Sequence, residues 1–336
     1  MRKAIKPVIL VFFLLTGISR MAYAQITDII DLQKSLISFS DDFAKSLPFN
    51  ASLGLNWSDA YIGKFFPSLL PHFGVGNSIG FTSAKLPAVK TLAKYLGYTI
   101  PNEADTLIFP AYIVEGRLGG IFYPIDMGIK FGFMPYNKFP NNKVSIYSLL
   151  AGADVRYALL DGKTNILVPN VSLGFGINYM KGGLEGSAQT SQTINFGIGS
   201  IKLENPGVAI DWDCFSLDFK AQISKSFILL TPYMGIGASY AFASASYSVN
   251  ANVTANGSTI DQSYINMINF LLDNLGLGNI GISQSGISST RKNSDFNYRI
   301  FGGCSFNLLV LKLDLTGLYS IVDSNYGFSL GVRFQI

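Results

Sequence analysis

The chain has 336 residues, 49% of them hydrophobic and only 14% charged, with a formal net charge of +4. Charge this sparse, against ~25% in ordinary soluble domains, argues against a soluble globular domain. Mean hydropathy is +0.32, yet beyond the N-terminus no run approaches the ~18 apolar residues of a membrane helix, which excludes a helical membrane protein.

Residues 1–24 read as an export signal. Arg2, Lys3 and Lys6 give a basic start, Val8 to Ile18 an apolar run too short to span, and Ala22-Tyr23-Ala24 a small-residue cleavage site before Gln25. No cysteine follows the site, which argues against a lipid-anchored lipoprotein. Cleavage between Ala24 and Gln25 removes Arg2, Lys3, Lys6 and Arg20, taking the 25 basic residues down by four, level with the 21 acidic ones. The mature chain is then neutral and carries no electrostatic footprint for nucleic acid. An apolar exported chain without spanning helices leaves the closed β-barrel as its membrane architecture.

Residues 25–50 form a helical segment. Ile29, Leu32, Leu36, Phe39 and Phe43 make one apolar stripe, suited to packing on the periplasmic rim of a barrel, or else to plugging its lumen. The barrel itself is expected over residues 51–336. Its first strand is read at Ala51 to Ser58, where Ala51, Leu53, Leu55 and Trp57 alternate with small polar residues, and its second at Phe73 to Phe81. Pro87 to Gly97 has helical character and reads as an elaborated loop.

Alternation resumes at Leu107 to Gly119. It runs cleanly through Met127 to Phe133, Tyr147 to Leu159 and Val171 to Tyr179. Each run is long enough to cross a bilayer at a tilt. Around Ile194 to Ile198 the phase blurs. Asp211 to Ile223 and Phe227 to Asn252 are strands, the latter expected to project beyond the membrane. Residues 253–295 are a long break whose helix, Ile260 to Leu275, is expected to fold over the barrel mouth. Phe296 to Phe306, Leu311 to Ile321 and Tyr326 to Ile336 complete the series. The expectation is an all-β antiparallel transmembrane barrel of about 12 strands, with 10 to 14 allowed, built from eleven clear strands and the blurred one.

The closing strand, YGFSLGVRFQI, is apolar at every even position and small or polar at every odd one. Ser329, Gly331, Phe334 and Ile336 fit the slots of a C-terminal assembly signal. In this the chain resembles bacterial outer-membrane β-barrel proteins, although Ile336 stands where Phe is usual. The resemblance implies residence in the outer membrane, contact with its lipid, and insertion by the barrel-assembly machinery.

If apolar residues face lipid, the lumen receives Glu115, Arg117, Lys130, Asp154, Arg156, Asp218, Lys220, Arg299, Lys312, Asp314 and Arg333. Two readings fit such a set: a salt-bridged interior that closes a small barrel, or a conduit with a mildly anion-favouring lining. Catalysis has poor raw material. His72 is the lone histidine, Cys214 and Cys304 lack metal-ligand spacing, and no hydrolase elbow, Walker loop or zinc-protease motif occurs. No enzymatic activity, cofactor or metal is expected. Whether the two cysteines pair is open at this stage. The leading functional expectation is a porin-like or ligand channel for small or hydrophobic solutes. The alternative is a non-transporting surface barrel with an adhesion or structural role.

Overall fold

A computed structural model of the chain describes residues 22–24, 26–62, 72–87, 105–122, 124–138, 144–160, 162, 168–187, 192–195, 200–255, 258–259, 261–263, 265–267, 270, 282–283 and 286–336. Helix α1 (Ile26–Ala51) precedes ten long strands. These are β1 (His72–Lys85), β2 (Thr106–Phe122), β3 (Ile125–Lys138), β4 (Val144–Leu160), β5 (Asn170–Ser187), β6 (Ser200–Ser224), β7 (Leu230–Ala255), β8 (Gly286–Leu308), β9 (Leu311–Ser320) and β10 (Tyr326–Gln335).

Each strand pairs antiparallel with the next. β10 then pairs with β1, from Gly327 opposite Thr82 to Gln335 opposite Gly74, so the sheet closes without an edge. Closure satisfies every ladder within the wall, which lipid demands because it offers no hydrogen bonds. Short strands lie off the circuit, such as Gln192–Asn195 against the start of β6 and Ala22–Ala24 against Gln192–Asn195.

The barrel therefore has ten strands, not twelve. Two expected strands are absent from its wall. The blurred stretch is the short flanking strand Gln192–Asn195. The alternating run at Ala51 to Ser58 is no strand at all. Every residue from Ala51 to Ile62 except Gly54 is buried, so neither face of that run meets lipid or water. Alternation there reflects packing inside the barrel, and the wall begins at His72 rather than at residue 51.

Outward positions are apolar and exposed: Val75, Ile79, Ile129, Phe175, Phe219, Ile236, Phe296 and Phe334 among them. That is a lipid face. The two ends of the barrel differ. One has tight connections at 123–124, 225–229 and 309–310; the other has the long ones, 86–105 and 256–285. Short turns mark the periplasmic end and long loops the extracellular end. β6, β7 and β8 run to 25, 26 and 23 residues, well past the ~9–11 that span a bilayer. Their extra length rises at the extracellular end. The outer face changes character there. Tyr179, Phe215 and Phe242 stand opposite one another in one row, and the next row holds Lys181, Asp213, Ser244 and Lys292. An aromatic girdle followed by charge is the signature of a membrane boundary.

The expected loop helix at Pro87 to Gly97 lies outside the described residues, as does most of Ile260 to Leu275. Within the latter, Ile265 is buried while Met267 and Phe270 are exposed.

Candidate functional site

The inside of the barrel is occupied by the chain itself. α1 enters among the extracellular ends of the strands. Expected on the periplasmic rim in one of two placements, it lies instead inside the wall. Phe43 stacks on Phe109 and meets Trp212 edge-on, both at 5.3 Å. Phe39, Ala44, Leu47 and Phe49 share that core with Ala241, Ala243 and Ala245 of β7. Alanines at these inward positions leave room for the helix. Ser40, Ser46 and Asn50 are buried as well, and from Ser46 to Ala51 every residue is buried, so the end of the helix is enclosed all round, while Lys45 just before it is exposed.

α1 gives way at Gly54 and Leu55, with φ of 86° and 57°. A left-handed pair ends a helix readily when glycine leads. Gly54 also has no room for a side chain, since a Cβ there would sit 3.0 Å from Cδ of Lys130. From there residues 55–62 continue down the lumen, bending again at Ser58 and Ala60.

The barrel wall grips this segment largely by its backbone. Lys130 Nζ donates to the carbonyls of Ala51 (2.8 Å) and Leu53 (2.6 Å). Lys220 Nζ donates to Leu55 O at 2.9 Å, Gln222 Nε2 to Trp57 O at 2.6 Å, and Arg156 Nη1 to Asp59 O at 2.6 Å. In return the amide of Leu55 donates to Glu115 Oε2 at 2.7 Å. That of Ala60 donates to Ser224 Oγ at 3.0 Å and that of Ile62 to Asp126 Oδ2 at 3.0 Å. A buried segment needs partners for its amides and carbonyls, and these wall residues supply them to five carbonyls and three amides.

All eleven residues expected to line the lumen point inward, and nine of them form three clusters. Arg117 binds Asp126 (2.6 Å) and Asp154 (2.7 Å), Arg156 binds Asp126 (2.7 Å), and Lys220 binds Asp154 (2.6 Å). Across the barrel Arg299 binds Asp218 at 2.6 Å, and Ser239 Oγ donates to the same carboxylate. Near the seam Arg333 bridges Asp314 (2.6 Å) and Asp59 (2.9 Å), and Lys312 reaches Asp59 at 2.7 Å. Lys130 and Glu115 are turned to the inner segment instead.

Three members of the site escaped sequence reading. Asp126, at the start of β3 beside the tight turn, is fully buried between two arginines. Trp57 belongs to the run mistaken for a strand, and Asp59 follows directly after it. The sequence signal for the two aspartates is the surplus of inward basic residues over acidic ones: Asp59 and Asp126 supply part of the missing negative charge.

A cavity of about 20 Å³ remains beside Trp57, Ser78, Glu115 and Arg333, room for roughly one water. Cys214 and Cys304 are free, the first buried on the inner face of β6. Of the assembly-signal residues, Gly331 is buried on the inner face of β10, Ser329 is half-buried, and Phe334 and Ile336 are exposed on the outside.

A closed antiparallel barrel, apolar outside and charged within, is a β-barrel of the bacterial outer-membrane type. Residues 114–336 match the family described as Lsa36-like, and the chain belongs to that family. The matched stretch runs from within β2 to the end and leaves out α1 and the lumen segment. No curated protein matches the chain. Among solved structures it is similar to a major outer-membrane protein of Thermus thermophilus (10% identity, covering 79% of this chain and 99% of that one, TM-score 0.31). A Pseudomonas aeruginosa FadL homologue matches at 12% identity over 74% of this chain and 60% of that one, with TM-score 0.36. Ail of Yersinia pestis matches at 10% identity over 80% and 100%, with TM-score 0.25. Likeness at this level adds nothing to what the barrel's own closure shows.

Proposed function

We propose that the protein is a non-transporting, non-enzymatic surface barrel of the outer membrane, exported by its N-terminal signal and inserted by the barrel-assembly machinery. The observation that carries this reading is the filled lumen. Residues 51–62 occupy it, and their carbonyls and amides are bonded to Lys130, Lys220, Glu115, Arg156 and Asp126. The inward charges that could have lined a conduit are engaged with each other or with that segment. A channel needs a continuous polar path, and charges already paired with each other and with a segment that occupies the lumen do not provide one.

The part of the molecule free to act is then the extracellular wall made by the upper halves of β6, β7 and β8. Its outer face is polar, with Asp211, Asp213, Ser244, Ser246, Thr290 and Lys292. Such a face suits contact with hydrophilic partners in an adhesive or structural role. The porin-like reading, for small or lipid-like solutes, requires residues 35–62 to leave the barrel.

Reconstitution of the folded protein separates the two. The surface reading predicts no stepwise current in planar bilayers and no swelling of liposomes in small sugars. A steady open current with sugar uptake would replace it by the channel reading.

A further inference from the structure

The lumen segment has a direction, and the direction has a consequence for where the N-terminal end of the chain lies. The contacts can be followed in order. Asp41 pairs with Arg291 at 3.8 Å, near the extracellular start of β8. Phe43 packs on Phe109, close to the extracellular start of β2, and on Trp212 in the raised part of β6. Ala51, Leu53 and Leu55 are held by Lys130 and Glu115 at mid-height. The Trp57 ring covers Gly74, third residue of β1. Asp59 meets Lys312 and Arg333, near the periplasmic ends of β9 and β10. The amide of Ala60 reaches Ser224, the last residue of β6, and that of Ile62 reaches Asp126, beside the tight β2–β3 turn. The order of contacts never reverses. Residues 41–62 pass through the barrel from its extracellular end to its periplasmic end, and β1 then starts upward from the periplasmic end at His72.

We propose that the barrel carries its own N-terminal segment across the membrane and displays it on the cell surface. An export signal delivers the chain to the periplasm. The residues ahead of Ser35 must therefore cross the outer membrane, and the path the structure assigns to them is the lumen. The crossing precedes closure of the β1–β10 seam. β1 follows the lumen segment directly, so the last ladder to form, Gly327 opposite Thr82 to Gln335 opposite Gly74, shuts the wall around a chain already in place. The lumen chemistry suits such a passage. Lys130, Lys220, Gln222 and Arg156 bond to backbone carbonyls, groups that every residue presents, so successive residues meet the same donors as the chain slides. Trp57, Ser58 and Asp59 are the exceptions. Their side chains are fixed by Glu115, Arg333 and Lys312 and mark the stop. The inference goes beyond the surface-barrel reading and holds whatever the outer wall binds.

The test is accessibility on intact cells. A short epitope is inserted between Gln25 and Ile26, and matching epitopes are placed separately in the β9–β10 turn at Asp323 and the β8–β9 turn at Leu309. Heat-modifiable mobility confirms a folded barrel in each case. We expect antibody to bind the N-terminal and Asp323 epitopes on intact cells, externally added protease to remove the N-terminal epitope, and the Leu309 epitope to be reached only after the outer membrane is opened. An N-terminal epitope reached only in opened cells, while Asp323 is reached on intact ones, overturns the proposal. So does a Leu309 epitope that is open on intact cells, since the barrel is then inverted. Should the insertion impair folding, Gln25→Cys read against the unmodified chain gives the same answer: labelling of intact cells by a membrane-impermeant maleimide supports threading, and labelling only of opened cells refutes it. Conductance is unaffected by either result, so failure here and failure of the surface-barrel reading are told apart.

Discussion

The indole Nε1 of Trp57 donates to Oε2 of Glu115 at 2.8 Å, and that same oxygen accepts the backbone amide of Leu55 at 2.7 Å. One carboxylate on β2 thus fixes both the side chain and the backbone of the lumen segment, while its other oxygen accepts from Ser78 on β1 at 3.0 Å. The guanidinium of Arg333 lies over the same indole at 4.6 Å, in cation–π geometry.

Glu115→Ala should therefore weaken the filled barrel. It leaves two buried N–H donors without an acceptor, at about 1–3 kcal/mol each. The expected result is a lower temperature for the heat-induced mobility shift. Glu115→Gln, which keeps a carbonyl acceptor, should lose much less.

Asp126 lies between Arg117 and Arg156 and also accepts the Ile62 amide. Removing it strands two buried cations, and breaking a buried pair in this way costs about 3–5 kcal/mol. Asp126→Ala should destabilise more than any single lysine-to-methionine change in the lumen. The double variant Asp126→Ala, Arg156→Leu should recover part of the loss, as read by denaturant midpoints; strict additivity would refute the coupling.

Gly74 has no space for a side chain: a Cβ would stand 2.7 Å from Cζ3 of Trp57. Gly74→Leu should displace the indole, red-shift tryptophan emission and lower stability by several kcal/mol through overpacking. Gly116 supplies the control. Its nearest neighbour, Cγ1 of Ile129, is an ordinary 3.7 Å from a Cβ, so Gly116→Ala should leave emission unchanged.

Phe334 faces lipid, 40% exposed, and Gln335 faces inward beside Arg333. A charge on the lipid face costs up to about 2–4 kcal/mol for Arg or Lys at the midplane and less for Asp. Loss of the assembly signal adds to this in Phe334→Asp. That variant should accumulate uninserted, whereas Gln335→Asp should insert. Equal yields in the outer-membrane fraction would contradict the facing.

Most of the wall was legible because a lipid-embedded strand must alternate between an apolar and a polar face. The nine clear strands expected from Leu107 onward all stand in the barrel, as does Phe73 to Phe81. Residues 51–58 misled for a physical reason. The run covers a helix end, a turn and a left-handed bend, its apolar and small polar residues alike are buried inside the barrel, and only the absence of a lipid face tells it from a wall strand. The lumen residues were legible as a set by facing, but their partners were not. Asp59 and Asp126 are singled out by three-dimensional closure, which brings residues more than 250 positions apart, such as Asp59 and Lys312, into contact.

The filled lumen is tested most directly by the fluorescence of Trp57. The chain has two tryptophans, so Trp212→Phe leaves Trp57 as the sole reporter. Trp57 is 4% exposed and screened from lipid by the wall. The account predicts emission that neither aqueous iodide nor brominated lipid quenches in the inserted protein. Iodide quenching near that of free indole would place Trp57 in water, and strong quenching by brominated lipid would place it on the outer wall; either result contradicts a lumen filled by the chain's own N-terminal segment.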